Sequence, residues 1–527
     1  MRINLPLTAS LFVLLYSPAL SAQNTSRVST DSLGTESNGA SNKSSVSASA
    51  RFVAFESFAS NLTIGDTNGF SDIFVRNTVT GETSISSISS GGVQGNGNSH
   101  SPSISASGRF IAFTSSASNL VPNDINLSDD IFVHDRETGL TSRVSINTFG
   151  IEGGNHSDWP SISADGNIIA FESIATNLVA GDNNGYSDVF VHDRQTGITV
   201  RASVTSSGAE GNQLSNAPSI SGDGHIVSFP SYASNLVATD TNGTQDVFVH
   251  DLQSGITSIG STSSTGGPSN GPSGRASISF DGTFLTFSSG ASNLVATDTN
   301  SSDDIFFKNL STGQTSRVSV SSTGQQGNGD SRELPVISFD GRYISFESDA
   351  PNLVPNDTNS SRDVFIHDQI TGVTSRASIN NAQAGGDDRS TLPAISPDGR
   401  FVTFSSKATN LVSPDLNSSY DIFLRDCGGP QLSYSGTCPG VATFTISNAT
   451  PGGTVAIVYG RDGFFRNARS RCFGVLLAIS QPVLGSTTLS SPLGTATFNA
   501  TLPPRVCGLS VQAVDLLTCK ITGILVL

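Results

Sequence analysis

Residues 101–146 read SPSISASGRFIAFTSSASNLVPNDINLSDDIFVHDRETGLTSRVSI, and this stretch decides the fold. It contains four runs rich in β-branched and aromatic residues: SPSIS (101–105), RFIAFTS (109–115), DIFVHD (130–135) and TSRVSI (141–146). Gly, Asn, Asp and Ser separate the runs, as is typical of turns between short strands. Both alternating faces of RFIAF are apolar, which predicts a strand covered on both sides. The stretch therefore predicts a unit of four antiparallel strands.

This unit occurs seven times along the chain. The phenylalanine that closes the second run recurs at Phe55, Phe113, Phe171, Phe229, Phe287, Phe346 and Phe404, in steps of 58 residues with a single step of 59. A unit repeated at a fixed period buries its apolar faces by stacking on its copies. Four antiparallel strands repeated radially are typical of a propeller blade. The sequence thus predicts an all-β protein whose main domain is a seven-bladed β-propeller.

The two ends of the repeat region predict how the ring closes. The seventh unit ends at DIFLRD (421–426) and has no fourth run after it. The missing run occurs at the other end of the chain, where TSRVST (25–30) matches TSRVSI (141–146). We expect residues 25–30 to form the outer strand of the last blade, so that the propeller covers residues 25–426.

The repeat resembles a known family. Ser396-Pro397-Asp398-Gly399-Arg400-Phe401-Val402-Thr403-Phe404, followed by Asp421-Ile422-Phe423-Leu424, is similar to the WD40-like (PD40, TolB-type) propeller repeat of exported bacterial proteins. The resemblance covers residues 25–426 and implies a propeller fold. It implies no particular activity, because this fold serves binding proteins, scaffolds and enzymes alike.

The N-terminal segment, residues 1–22, is typical of an export signal peptide. Met1-Arg2 gives a positive start, an apolar stretch follows, and the small residues of Ala19-Leu20-Ser21-Ala22 precede Gln23. A membrane anchor is the alternative, but Pro6 and Pro18 interrupt an apolar run that is already short. The segment predicts a secreted or periplasmic protein with no transmembrane segment after cleavage.

The cysteines all lie near the C-terminus. In an exported chain this distribution predicts a small disulfide-stapled domain, here an all-β sandwich of residues 431–527. Four cysteines permit three pairings, and the spacing does not select one. The expected disulfide partners are Cys438, Cys472, Cys507 and Cys519, with Cys427 at the domain junction left over.

The composition excludes some classes of partner. The formal net charge is −16, and charged residues make up only 13% of the chain. Nucleic acids and anionic membranes both require a basic surface, so neither is an expected partner.

A polar triplet recurs in the loop between the second and third runs of every copy. Carboxylate and amide oxygens at alternate positions suit calcium, although no bidentate glutamate follows to complete the ligand set. The alternative is that these side chains form Asx turns. The calcium candidates are Asp66, Asn68, Asp72; Asp124, Asn126, Asp130; Asp182, Asn184, Asp188; Asp240, Asn242, Asp246; Asp298, Asn300, Asp304; Asp357, Asn359, Asp363; and Asp415, Asn417, Asp421.

Other candidate groups point to structural roles. Histidines that recur after the third run, such as His134 and His192, are predicted to be surface turn residues. Trp159, the only tryptophan, is predicted to pack in its blade. No copy alone shows a paired-carboxylate motif or a histidine cluster, as an enzyme site would require. The sequence therefore predicts no catalytic residue.

The long loops all lie on one face of the predicted propeller, where binding sites are usual. Their near-identity favours a non-catalytic binding or scaffold protein with a protein or glycan ligand, because catalysis needs unlike groups in unlike roles. Two alternatives stay open. One is a propeller-type lyase or glycosidase with a site built across blades, and the other is a lectin with repeated sites.

Overall fold

The computed structural model describes residues 23–428, 431–436, 440–447, 454–466, 476–490, 496–502, 510–515 and 525–526. The predicted export signal (1–22) and the predicted disulfide partners Cys438, Cys472, Cys507 and Cys519 lie outside these residues. Within the described ranges, no helix is long and apolar enough to cross a membrane.

Residues 25–426 form seven four-stranded antiparallel sheets, which confirms the all-β seven-bladed propeller. Blade one contains β2 (Ser41–Val46), β3 (Phe52–Ser57), β4 (Asp72–Asn77) and β5 (Thr83–Ile85). Blade two contains β6 (Ser99–Ile104), β7 (Phe110–Ser115), β8 (Asp130–Asp135) and β9 (Leu140–Arg143). Blade three contains β10 (Ser157–Ile162), β11 (Ile168–Ser173), β12 (Asp188–Asp193) and β13 (Ile198–Arg201). Blade four contains β14 (Ser219–Ile220), β15 (Ile226–Ser231), β16 (Asp246–Asp251) and β17 (Thr257–Ile259).

The remaining blades repeat this order. Blade five contains β18 (Ser273–Ile278), β19 (Phe284–Ser289), β20 (Asp304–Asn309) and β21 (Thr315–Arg317). Blade six contains β22 (Val336–Ile337), β23 (Tyr343–Ser348), β24 (Asp363–Asp368) and β25 (Thr374–Arg376). Blade seven contains β26 (Ser390–Ile395), β27 (Phe401–Ser406), β28 (Asp421–Asp426) and, as its outer strand, β1 (Thr25–Arg27).

The ring is closed by strand β1. It pairs antiparallel with β28, with Thr25 opposite Arg425 and Arg27 opposite Phe423. Residues from both ends of the repeat region therefore share one sheet.

The apolar core lies within and between the blades. In each blade a phenylalanine of the second strand stacks on one of the third, as Phe113 does on Phe132 with ring centroids 5.9 Å apart. Both rings are fully buried, and they pack with Ile73 and Val75 of the preceding blade. A strand buried on both faces needs apolar residues at successive positions, which is why RFIAF does not alternate.

The channel along the propeller axis is closed at the face that carries the short turns between the first and second strands. Backbone hydrogen bonds connect these turns from blade to blade, from Ala48 N to Ala106 O (2.9 Å) and from Ala106 N to Ala164 O (3.0 Å). The rings of Phe280 and Phe339, 4.9 Å apart, fill the same level. The channel along the propeller axis is therefore a cavity that opens toward the long-loop face.

Beyond the propeller, the described residues form two antiparallel sheets. One contains β29 (Gln431–Gly436), β30 (Gly440–Ser447) and β33 (Ala496–Leu502). The other contains β31 (Thr454–Arg466), β32 (Leu476–Leu489), β34 (Ser510–Asp515) and β35 (Leu525–Val526).

Candidate active site

The Asp–Asn–Asp triplets are brought together at the start of the third strand in every blade. In blade three Asn184 Nδ2 donates to Asp188 Oδ2 (3.0 Å), while Asn184 Oδ1 accepts the backbone N–H of Tyr186 (2.7 Å). Ser203 Oγ donates to Asp188 Oδ1 at 2.5 Å. The triplet thus contains an Asx turn and a buried carboxylate that connects the third and fourth strands.

An arginine lies between the two carboxylates in five blades. In blade three, Arg201 Nη1 is 3.2 Å from Asp188 Oδ2 and 3.7 Å from Asp182 Oδ1. Burial and the charge of Asp188 raise the pKa of Asp182 to about 6, although Arg201 opposes the shift. The five arginines, each on the outer strand of its blade, are Arg27, Arg143, Arg201, Arg317 and Arg376. Their guanidinium groups take the place that a cation would take between these carboxylates.

The recurrent histidines are buried, so the prediction of surface turn residues was wrong. His192 is 4% exposed, and its Nδ1 lies 2.9 Å from Thr199 Oγ1. Burial lowers the pKa of His192 to about 4, so the ring is neutral at ordinary pH. These histidines join the third strand to the fourth, because each ring contacts a threonine of the fourth strand.

The central cavity has a volume of about 190 Å³ and takes its lining from all seven blades. Each blade contributes two or three consecutive residues of its inner strand segment. The lining consists of Lys43–Ser45, Ser101–Ser103, Trp159–Ser161, Ala217–Ser219, Ala276–Ser277, Leu334–Val336 and Leu392–Ala394.

A β-bulge interrupts the inner strand of five blades beside this cavity. Lys43, Ser101 and Trp159 have φ of 38°, 55° and 54°, in the left-handed region that non-glycine residues rarely adopt. Bulges are a common way to direct a side chain at a functional site. The seven equivalent residues are unlike one another: Lys43, Ser101, Trp159, Ala217, Arg275, Glu333 and Leu392.

The single step of 59 residues also affects the cavity. Ser331 Oγ contacts Ser348 Oγ across blade six, as Ser273 contacts Ser289 across blade five, but with one residue more between the partners. Val336 then pairs with Ser345 in the ordinary register. The extra residue therefore lies between Ser331 and Val336, at the mouth of the cavity, where it changes the shape of one blade only.

Two cations lie over the ring of Trp159. Lys43 Nζ is 3.1 Å from the ring centroid and Arg275 Cζ is 3.9 Å from it. The two cationic groups are thus no more than 7.0 Å apart, although they come from blades one and five. Trp159 was predicted to pack within its blade, whereas the structure places it in the cavity lining between residues from other blades.

Lys43 has the properties of a base that works near neutral pH. Burial lowers the pKa of its amine to about 7, and the charge of Arg275 adds to this effect, while Glu56 and Asp158 oppose it. Its Nζ lies 2.8 Å from Ser101 Oγ, which fixes the position of the amine. A lysine whose pKa is close to the working pH can accept a proton from a substrate.

Glu172 is a candidate acid whose charge acts on this amine. It lies at the end of β11, and its Oε2 accepts the N–H of Ala217 in the next blade at 2.6 Å. Burial raises the pKa of Glu172, and the charge of Asp158 raises it further, whereas Arg275 and Lys43 oppose the shift. Asp158 is the register partner of Glu172, and no other blade has an acid at the position of Asp158.

Arg275 has a buried N–H donor that no described residue accepts. Its Nε lies 3.8 Å from Glu333 Oε2 at the mouth of the cavity. Its Nη1 is buried and donates no hydrogen bond within the described part of the chain. A buried guanidinium N–H without an acceptor is costly, and a carboxylate is the acceptor that matches its geometry best.

Comparison with known proteins finds similar solved structures but no family. No protein-family model and no curated protein matches the chain. Among solved structures, the chain is similar to an oligogalacturonate lyase from Vibrio parahaemolyticus, with 12% identity over 77% of this chain and 97% of that one and a TM-score of 0.47. It is also similar to a putative TolB from Agrobacterium tumefaciens (13% identity, 68% and 98% covered, TM-score 0.36). A prolyl endopeptidase matches with 10% identity over 79% of this chain and 55% of that one, with a TM-score of 0.45. At these identities and TM-scores, the likeness assigns neither a family nor an activity to this chain.

The hypothesis of a non-catalytic binding or scaffold protein was wrong. The hypothesis depended on the near-identity of the loops. That near-identity does not extend to the cavity, where the equivalent positions of the seven blades carry a base, two further charged groups, an aromatic ring and small or apolar residues.

Proposed function

We propose that the chain is a lyase that cleaves a uronic-acid-containing glycan by β-elimination in the central cavity. The observation that carries the proposal is the pair Lys43 and Arg275, no more than 7.0 Å apart over the ring of Trp159. An amine with a pKa of about 7 and a guanidinium with an unused N–H are the base and the carboxylate-binding group that such an elimination needs.

In the proposed reaction, Arg275 binds the carboxylate of the uronic acid. Pairing with a cation withdraws charge from this carboxylate and makes the hydrogen on the adjacent carbon, C5, more acidic. Neutral Lys43 then takes this proton on Nζ. The electron pair of the C5–H bond forms the C4=C5 double bond, and the bond from C4 to the glycosidic oxygen breaks.

The leaving oxygen needs a proton, and Glu172 is the proposed donor. Burial raises the pKa of Glu172, which favours the protonated form that a general acid requires. The base and the acid thus have pKa values shifted toward neutrality from opposite sides, a pattern typical of acid–base sites. Hydrolysis would instead require two carboxyl groups flanking the bond, one of them as nucleophile or as base for a water molecule. Because the base here is an amine, we favour elimination.

The rest of the chain fits this role. The signal peptide predicted from residues 1–22 would direct export to the periplasm or the medium, where glycan polymers occur. We further propose that the C-terminal strands form a sandwich stapled by disulfides, which suits such a compartment.

The proposal is tested by incubating the full chain with polyuronates and with their methyl esters. We expect chain cleavage with an increase in ultraviolet absorbance from the conjugated double bond, and a preference for free carboxylates. Arg275→Gln should raise KM for the free acid and abolish the preference over the ester. New reducing ends without the absorbance would indicate hydrolysis and contradict the proposal, as would equal rates on acid and ester.

A further inference from the structure

Blade four differs from the other six in the surroundings of its triplet. The position that holds arginine in five blades is Ile259, and the position that holds Gln94 in blade one is Pro268. Blade one has Ile85 at the arginine position, but Gln94 Nε2 donates to Asp66 Oδ1 and to Asp72 Oδ2, both at 2.8 Å. Six blades therefore have a side-chain donor that bridges the two carboxylates, and blade four has neither kind.

The two carboxylates of blade four are buried. Asp246 is 0% exposed, and Asp240 is 9% exposed. Asp246 Oδ1 accepts from Ser261 Oγ (2.5 Å) and Ser269 Oγ (2.8 Å), and its Oδ2 accepts from Asn242 Nδ2 (2.6 Å). Asp240 Oδ1, in contrast, accepts no hydrogen bond from any residue that the structure describes.

The other blades show where the unpartnered oxygen of Asp240 is aimed. Its counterparts Asp124 Oδ1 and Asp357 Oδ1 lie 3.4 Å and 3.1 Å from the guanidinium Nη1 of Arg143 and Arg376. Each of these Nη1 atoms also contacts the second aspartate of its triplet. By the same geometry, Asp240 Oδ1 and Asp246 Oδ2 face a common point at which blade four has no protein cation.

Two buried carboxylates without a counter-charge are costly, since burial penalises each ion and the like charges repel. A divalent ion matches their combined charge, and carboxylate oxygens are its preferred ligands. We propose that blade four binds one divalent cation between Asp240 and Asp246. All seven triplets are calcium candidates from the sequence. Because an arginine or Gln94 already bridges the carboxylates in six of them, we favour the triplet of blade four. The proposal does not depend on the proposed lyase activity.

The test is calorimetric titration of the chelator-treated full chain with calcium, magnesium and manganese, together with thermal melting. We expect at least one of these cations to bind and to raise the melting temperature by mass action on the folded state. Asp240→Asn should remove one site per chain, whereas the matched change Asp182→Asn in blade three, where Arg201 bridges the pair, should leave the stoichiometry unchanged.

Ile259→Arg provides a second variant that keeps both carboxylates. It copies the arrangement of the five arginine-containing blades, so we expect it to fold, to lose the cation site and to melt at the same temperature with and without the cation. Absence of binding by all three cations would overturn the proposal. Equal stoichiometry in the wild type and in both blade-four variants would overturn it as well.

Discussion

Glu172→Gln is expected to lower kcat on a uronic-acid glycan by about 10²- to 10⁴-fold, the usual contribution of a general acid. Glutamine has the shape of glutamate, and its carbonyl oxygen can still accept the N–H of Ala217, which Glu172 Oε2 accepts at 2.6 Å. It has no acidic proton for the leaving oxygen. Initial rates from the ultraviolet absorbance of the unsaturated product measure the effect, and KM should change far less than kcat.

Glu347→Gln is the matched control for this prediction. Glu347 lies at the equivalent position of blade six and accepts the N–H of Leu392 at 2.9 Å, so its contact with the next blade is the same. Its neighbour is Arg362, 2.7 Å away, and its blade has no second acid at the position of Asp158. We expect a wild-type rate for this variant. Similar losses in both variants would show that Glu172 has only a structural role.

Deletion of residues 25–30 is expected to have the largest effect on stability. The deletion removes β1 and leaves β28 as an exposed edge, which favours aggregation. It also removes Arg27, which contacts Glu36, Asp415 and Asp421 at 3.1–3.3 Å. Asp421 is fully buried and would lose its counter-charge. Breaking a buried ion pair on one side alone costs about 3–5 kcal/mol, a large part of the 5–15 kcal/mol that is typical of a folded domain.

Denaturant unfolding and size-exclusion chromatography measure this effect. The control replaces residues 25–30 with TSRVSI, the sequence of residues 141–146, which changes only Thr30 to isoleucine. We expect this variant to stay monodisperse and close to the wild type in its unfolding midpoint. A deletion variant that unfolds at the wild-type midpoint would show that β1 does not stabilise the ring.

The fold could be predicted because the propeller repeats its structural residues. The stacked phenylalanines and the buried aspartates, such as Phe113 and Asp130, recur at a constant period since every blade needs them for the same contacts. The cavity residues could not be found by looking for recurrence. Lys43, Trp159 and Arg275 occupy equivalent positions in three blades, and what identifies them is that this position differs in every copy.

The chemistry of the site depends on contacts between blades that are distant in sequence. The pKa of Lys43 is lowered by burial and by Arg275, and neither effect is visible in the sequence around residue 43. The triplets are a second case in which the neighbouring sequence does not reveal the contacts that matter. Their arginines lie on the outer strand, in the recurring TSR sequence (TVR in blade three), outside the loop that contains the proposed calcium ligands. Comparing the seven copies position by position would have identified both the cavity position and the exception at Ile259.

The most direct test of the account is the pH dependence of elimination by the wild type and by Lys43→Met. With Lys43 as the base, kcat/KM for the wild type should rise as the pH increases through about 7, because the amine must lose its proton before it can accept one. Lys43→Met should give no unsaturated product at any pH, while Lys407→Met, which removes a cation over Tyr420 in blade seven, should follow the wild-type profile. A Lys43→Met variant that keeps the wild-type rate and pH profile would contradict the account.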